Sequence, residues 1–206
     1  MTELLNFKII LVGAALLIFV LFENIFPKEI IKFKIKIKKT IKNIFFWLLN
    51  IGLTPIFILP ITIAATTLNL HNFFIIENII VQFLFHLIIY DVFLYFWHRA
   101  NHEIPFLWRF HHVHHLDETL DVSSGIRFHF GEVILSTIVR CIIIIIFNIS
   151  LLNLILIETI VLTSSVFHHS NIKLPQKLET ILSFIIVTPS IHWVHHHKRQ
   201  KETDAN

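Results

Sequence analysis

A single cysteine, Cys141, occurs in 206 residues. One thiol cannot close an intrachain disulfide, and cysteine-ligated zinc and iron–sulfur clusters are excluded with it. The His-Glu-x-x-His signature of thermolysin-like hydrolases is absent, and so are Gly-x-Ser-x-Gly, the P-loop and the dinucleotide fingerprint. Charge is scarce as well. Asp, Glu, Lys and Arg make up 15% of the chain and the net charge is only +3. No basic patch joined to a soluble fold is present, which sets nucleic acid aside as a partner. What fills the chain instead is apolar: 55% of residues are hydrophobic and the mean hydropathy is +0.73. That composition lies above the soluble range, and several runs approach the ~20 residues a bilayer crossing needs. The expected fold is an all-α, multi-pass integral-membrane bundle forming a single domain over residues 1–206, with N-terminal membrane helices and a basic loop up to residue 70.

Along the chain, residues 4–22 are read as a retained helix, because a basic start and a small-x-small cleavage site are both missing. Residues 28–43 alternate lysine with isoleucine. Period alone suggests a strand, but a juxtamembrane segment resting on anionic headgroups suits the composition better and places this end in the cytoplasm. Residues 44–68 form a second run, with Gly52, Pro55 and Pro60 predicting a kink. Thr66 to Asn72 reads as a polar turn. Residues 73–97 form a third run, and residues 133–167 a hairpin of two helices somewhat short for full spans. On this count every histidine cluster emerges on the cytoplasmic side.

Histidine is the residue in excess, with 15 copies. If Asp91 to His102 is helical, Asp91, Tyr95, His98 and His102 share one face. Pro105 breaks that helix by disfavouring helical geometry at Ile104. His111, His114 and His115 then follow at i, i+3 and i+4, and His192, His195 and His196 repeat the spacing as a second His-x-Val-His-His. Tags are contiguous, whereas these sets are helically spaced and lie at the ends of apolar runs, where clustered polar groups need a reason. Eight imidazoles exceed what one metal takes. Imidazole suits zinc, iron, copper and nickel, so ligand type alone leaves the metal open. His112 and His197 fall off the ligand faces and read as solvated; His71 and His86 read as structural.

From Asp91 onward the chain resembles the fatty acid hydroxylase/sterol desaturase superfamily of histidine-rich membrane di-iron oxygenases. The resemblance rests on Asp91-x-x-x-Tyr95-x-x-His98-Arg99-x-x-His102, Leu107-Trp108-Arg109-Phe110-His111-x-x-His114-His115 and Arg127-Phe128-His129-x-x-Glu132. It continues through Phe167-His168-His169-Ser170-Asn171-Ile172, Thr188-Pro189-x-x-His192-x-x-His195-His196 and Glu202-Thr203-x-x-Asn206. It implies two iron ions, with zinc as the occupant an as-purified protein could carry instead, and O₂ as co-substrate. The substrate would be a membrane lipid of sterol or fatty acyl type, hydroxylated or desaturated at a C–H bond. Electrons would come from an external reductase through a small electron carrier.

Carried over by position, the metal ligands are His98, His102, His111, His114, His115, His169, His192, His195 and His196, with His168 the rival of His169. His129 is a ligand or a support for one. Asp91 and Tyr95 either orient imidazole N–H groups or join helices by hydrogen bonds. Arg99 and Arg109 reach headgroups or a substrate carboxylate, or snorkel. Glu158 is an intramembrane acid on the face of His169, functional or near the far interface. Trp47, Trp97, Trp108 and Trp193 fit interfacial anchors. Relatives continue past the position of Asn206 with a Gly-containing stretch and a Trp-Asp…Phe-Gly segment, and this chain departs from them there. Two alternatives therefore stand beside the oxygenase: a zinc-binding membrane metalloprotein of hydrolytic or storage function, and an inactive shortened member of the family.

Overall fold

The computed structural model describes residues 2–68, 76–117 and 119–196. His71, His197, the Glu202–Asn206 motif and most of the Thr66–Asn72 turn lie outside the described residues. Helix α1 spans Thr2–Ile25, α2 Phe33–Leu53, α3 Leu59–Thr67, α4 Ile79–Glu103 and α5 Pro105–His115. After a 3₁₀ turn at Val122–Ile126 come α6 (Phe130–Ile146), α7 (Leu151–His169), α8 (Gln176–Leu182) and α9 (Pro189–His195). Among the described residues there is no β-strand, only an isolated bridge between Pro27 and Ile172.

Local chemistry sets the helix ends. The Asn78 side chain accepts from the Ile80 and Val81 amides at 3.0 and 3.1 Å and starts α4. Extended backbone at Ile104 stops α4 and lets Pro105 open α5 at a position where its missing N–H costs nothing. Ser150 caps α7 through the Asn153 amide at 3.2 Å. A π-helical turn at Thr54–Ile58, containing Pro55, joins α2 to α3 and interrupts the helix as the prolines predict.

The runs Glu3–Ile25, Phe33–Thr67, Ile79–Glu103 and Leu151–His169 are long and apolar enough to cross a membrane. Helix α6 has 17 residues, about 25 Å of rise against a hydrocarbon core of ~30 Å. Of the expected short hairpin, then, α7 reaches spanning length and α6 does not.

Contacts fix the helix directions. Lys8 meets Glu158, Phe19 meets Phe167 and the Glu23 carboxylate accepts from the Asn171 amide, so α1 runs parallel to α7. His86 hydrogen-bonds Asn153 across α4 and α7, which also run together. Arg140 of α6 meets Tyr90 of α4, Asn50 meets the Phe128 carbonyl and the Cys141 thiol meets the Ile61 carbonyl. Helices α2, α3 and α6 therefore run the opposite way. Tyr90, Ile144, Leu154 and Ile157 centre the apolar core between them.

The basic stretch is not a surface loop. It is helical from Phe33, and two of its residues turn inward. The buried Lys39 ammonium lies 2.7 Å from Asp121 and donates to the Thr119 carbonyl at 2.6 Å. The buried Asn43 amide donates to Asp117 and Ser123, both at 2.9 Å. Lys36 reaches Glu23 at 3.1 Å, and the Glu23 carboxylate also accepts from the Val122 amide at 3.0 Å. The N-terminal helices thereby grip the 117–127 segment, which carries part of the site.

Candidate metal centre

Four elements deliver histidines to one end of the bundle. The last turns of α4 bring His98 and His102; α5 brings His111, His114 and His115; the end of α7 brings His169; α9 brings His192 and His195, followed by His196. They sort into two groups. His98, His102, His111 and His195 form one, and His114, His169, His192 and His196 the other. Within each group the nitrogens lie within 4.8 Å of one another. His115 sits between the groups: its Nε2 is 3.2 Å from that of His111, and its ring stacks on His196 at 4.2 Å.

Tautomers show what the rings offer. His114 Nδ1 is 3.1 Å from the Arg127 carbonyl and His169 Nδ1 is 2.7 Å from the Ser165 carbonyl. A carbonyl only accepts, so both Nδ1 atoms carry the proton, and in the neutral rings both Nε2 atoms carry lone pairs. Those Nε2 atoms face each other at 3.0 Å. Two buried lone pairs at that separation repel unless a cation lies between them. Burial, with the neighbouring imidazoles adding to it, pushes His114, His192 and His196 well below the usual imidazole range, and burial lowers His115 likewise. Neutral imidazole is the ligand form, so the donor set fits metal ions.

Glu132 completes the support. It is buried in the first turn of α6, and its carboxylate accepts from His111 Nδ1 at 2.9 Å. That hydrogen bond turns the His111 Nε2 lone pair inward, as carboxylates beside metal-bound histidines do. This acid belongs to the motif Arg127-Phe128-His129-x-x-Glu132, in which only His129 was an expected site residue. His129 acts differently: its Nδ1 accepts from the Gly131 amide at 3.0 Å and caps α6, while its ring stacks on Phe130. The Arg127 carbonyl that holds His114 is itself fixed, because the Arg127 guanidinium donates to Asp117 at 2.5 Å. Gly125 lies against the His169 support. A Cβ there would stand 3.3 Å from both His169 Nδ1 and the Ser165 carbonyl oxygen.

His169, and not His168, belongs to a four-histidine group. His168 lies 4.2 Å from the His192 ring and lines a cavity of about 470 Å³. The same cavity is lined by His98, His114, His169 and His192, and by Asp91 and Tyr95 of α4. His112 is exposed beside Trp108, and Trp108 packs on His102 and His115. Arg99 pairs with Glu103 at 2.6 Å on the exposed surface. Glu158 is held by Lys8 at 2.6 Å and Arg140 at 3.0 Å.

Neither the curated proteins nor the solved structures contain a match to the chain. A family model does match: residues 83–206 fit the fatty acid hydroxylase family, a stretch that runs from within α4 through α9 and takes in every histidine of both groups. With that match covering more than half of its residues, the chain belongs to the fatty acid hydroxylase family.

Proposed function

We propose that the chain is a membrane di-iron oxygenase that uses O₂ to hydroxylate or desaturate a lipid at an unactivated C–H bond. The observation that carries this reading is the pair of adjacent four-histidine groups at one end of a membrane-spanning bundle. The ligands on this reading are the eight grouped histidines, with His115 between the groups available to either. Iron bound there would activate O₂, the oxidant for C–H cleavage. The chain's own residues do the rest. Glu132 and the carbonyls of Arg127 and Ser165 hold the imidazoles of His111, His114 and His169 in the tautomer with Nε2 free. Apolar walls, among them Leu94, Val133 and Val161, admit an alkyl or ring system to the cavity and keep water from the histidine end.

The lysine-rich stretch reaches the histidine end of the bundle through Lys36 and Lys39. That placement supports a cytoplasmic face for the site by the positive-inside rule. Electrons then arrive from the cytoplasm, from an external reductase through a small carrier, while the lipid arrives from the bilayer.

The test is lipid profiling of cells with and without the gene under ¹⁸O₂, followed by turnover in purified iron-loaded membranes. A product that needs iron, O₂ and a reductant supports the reading; ¹⁸O in that product marks hydroxylation. Oxygen-independent turnover by a zinc-loaded protein contradicts it.

A further inference from the structure

The cavity has a second polar end that the metal ligands do not use. One face of α6 carries Glu132, Ser136, Thr137 and Arg140, and all four line the cavity. Glu132 holds His111 at the metal end. Arg140 lies eight residues farther along the same helix, about 12 Å deeper. Its guanidinium has five N–H groups, more than the acceptors around it among the described residues take up. Tyr90 accepts from Nη1 at 3.2 Å and Thr137 from Nη2 at 3.1 Å. A Glu158 oxygen lies 3.0 Å from Nη1, and the buried Nε has no hydrogen-bond partner among the described residues. Glu158 is shared with Lys8 at 2.6 Å, so two cations converge on one carboxylate. Asp91, on the facing helix α4 next to Tyr90, lines the same cavity.

An alkyl terminus placed here would meet a guanidinium and a carboxylate, each costly to desolvate without a partner. A lipid carboxylate would suit Arg140 but face Asp91 with like charge. A hydroxyl serves both, accepting from the guanidinium and donating to the carboxylate. The geometry points to a hydroxyl-recognition subsite formed by Arg140 and Asp91, which selects a lipid alcohol and presents to the histidines a C–H on the order of 10 Å from the hydroxyl oxygen. This rests on the lipid oxygenase reading and deepens it by naming the substrate class.

The experiment uses the full chain in phosphatidylcholine nanodiscs with a photoactivatable diazirine analogue of 1-dodecanol. Unlabelled 1-dodecanol, dodecanoate and dodecane compete for cross-linking, and metal content is measured on the same samples. The expected result is that dodecanol competes about tenfold better than dodecanoate or dodecane, the size of a hydrogen bond to a charged group. Arg140→Gln and Asp91→Asn should each cut that preference severalfold at unchanged metal content, because the amide keeps a hydrogen bond but gives up the charge. Should Arg140→Gln fail to fold, Asp91→Asn on the exposed side of α4 and the competition series on the unmutated chain decide. Equal competition by all three lipids, or a preference left undiminished by Asp91→Asn, overturns the subsite. Loss of metal in the unmutated chain would instead count against the two-metal reading, with the lipid preference measured independently of it.

Discussion

At the residue scale, the site depends on which ring nitrogen is turned inward. His114 is buried, held at Nδ1 by the Arg127 carbonyl, and sits within a four-histidine group. His112, two positions away, is exposed. His114→Ala should therefore lose the metal of its own group and abolish turnover, whereas His112→Ala should leave both unchanged; metal content and lipid product on the paired variants check this. Glu132→Gln keeps the shape of the side chain but gives up the charge facing His111. Metal affinity should drop about 10- to 100-fold, read by chelator competition. Acid acts on the same rings. His114, His192 and His196 are held below the ordinary imidazole value by burial. Below about pH 6.5 the unfolded chain therefore binds protons that the folded site refuses. Stability of the metal-free protein should be level above that pH and decline below it, as unfolding midpoints between pH 5 and 8 will show. Metal retention should decline in the same direction.

At the element scale, the 117–127 segment is the bracket between the N-terminal helices and the histidines. Asp117 accepts from Asn43, Ser124 and Arg127, and Arg127 holds His114 through its carbonyl. Asp117→Ala strands a buried guanidinium, so the fold should lose about 3–5 kcal/mol and metal should loosen with it. Thermal unfolding and metal content on one preparation test the two effects together. The histidine faces of α4, α5 and α9 were legible in the sequence, because i, i+3, i+4 spacing is local and Pro105 marks the break. The bracket was not. Lys39 and Asn43 look like their neighbours in a lysine–isoleucine repeat, and the partners that bury them lie about 80 residues away. Glu158 stood out as an acid in an apolar run, but nothing in its own helix names Lys8 as a partner, 150 positions earlier. Glu132 lies inside a histidine-bearing motif, and its sequence position alone does not show that it faces His111, 21 residues earlier. The carboxylate three residues after His129, in the first turn of a helix, was the available signal.

At the scale of the whole molecule, three of the candidate spans among the described residues run toward the site and one runs away, so a polar histidine cap closes one end of an apolar bundle. A lipid already in the bilayer can reach that cap from the side without entering water. The overall design could be read from composition and histidine count, and the family match extends from within α4 to the last residue. Grouping into two fours could not be read, since it depends on how α7 and α9 approach α5. That grouping is the centre of the account, and it makes a numerical claim. Metal analysis of the full chain, purified without added zinc from iron-replete cells, should find two iron ions per chain. His102→Ala in one group and His169→Ala in the other should each lose one. A single metal per chain, or two that persist in both variants, would contradict it.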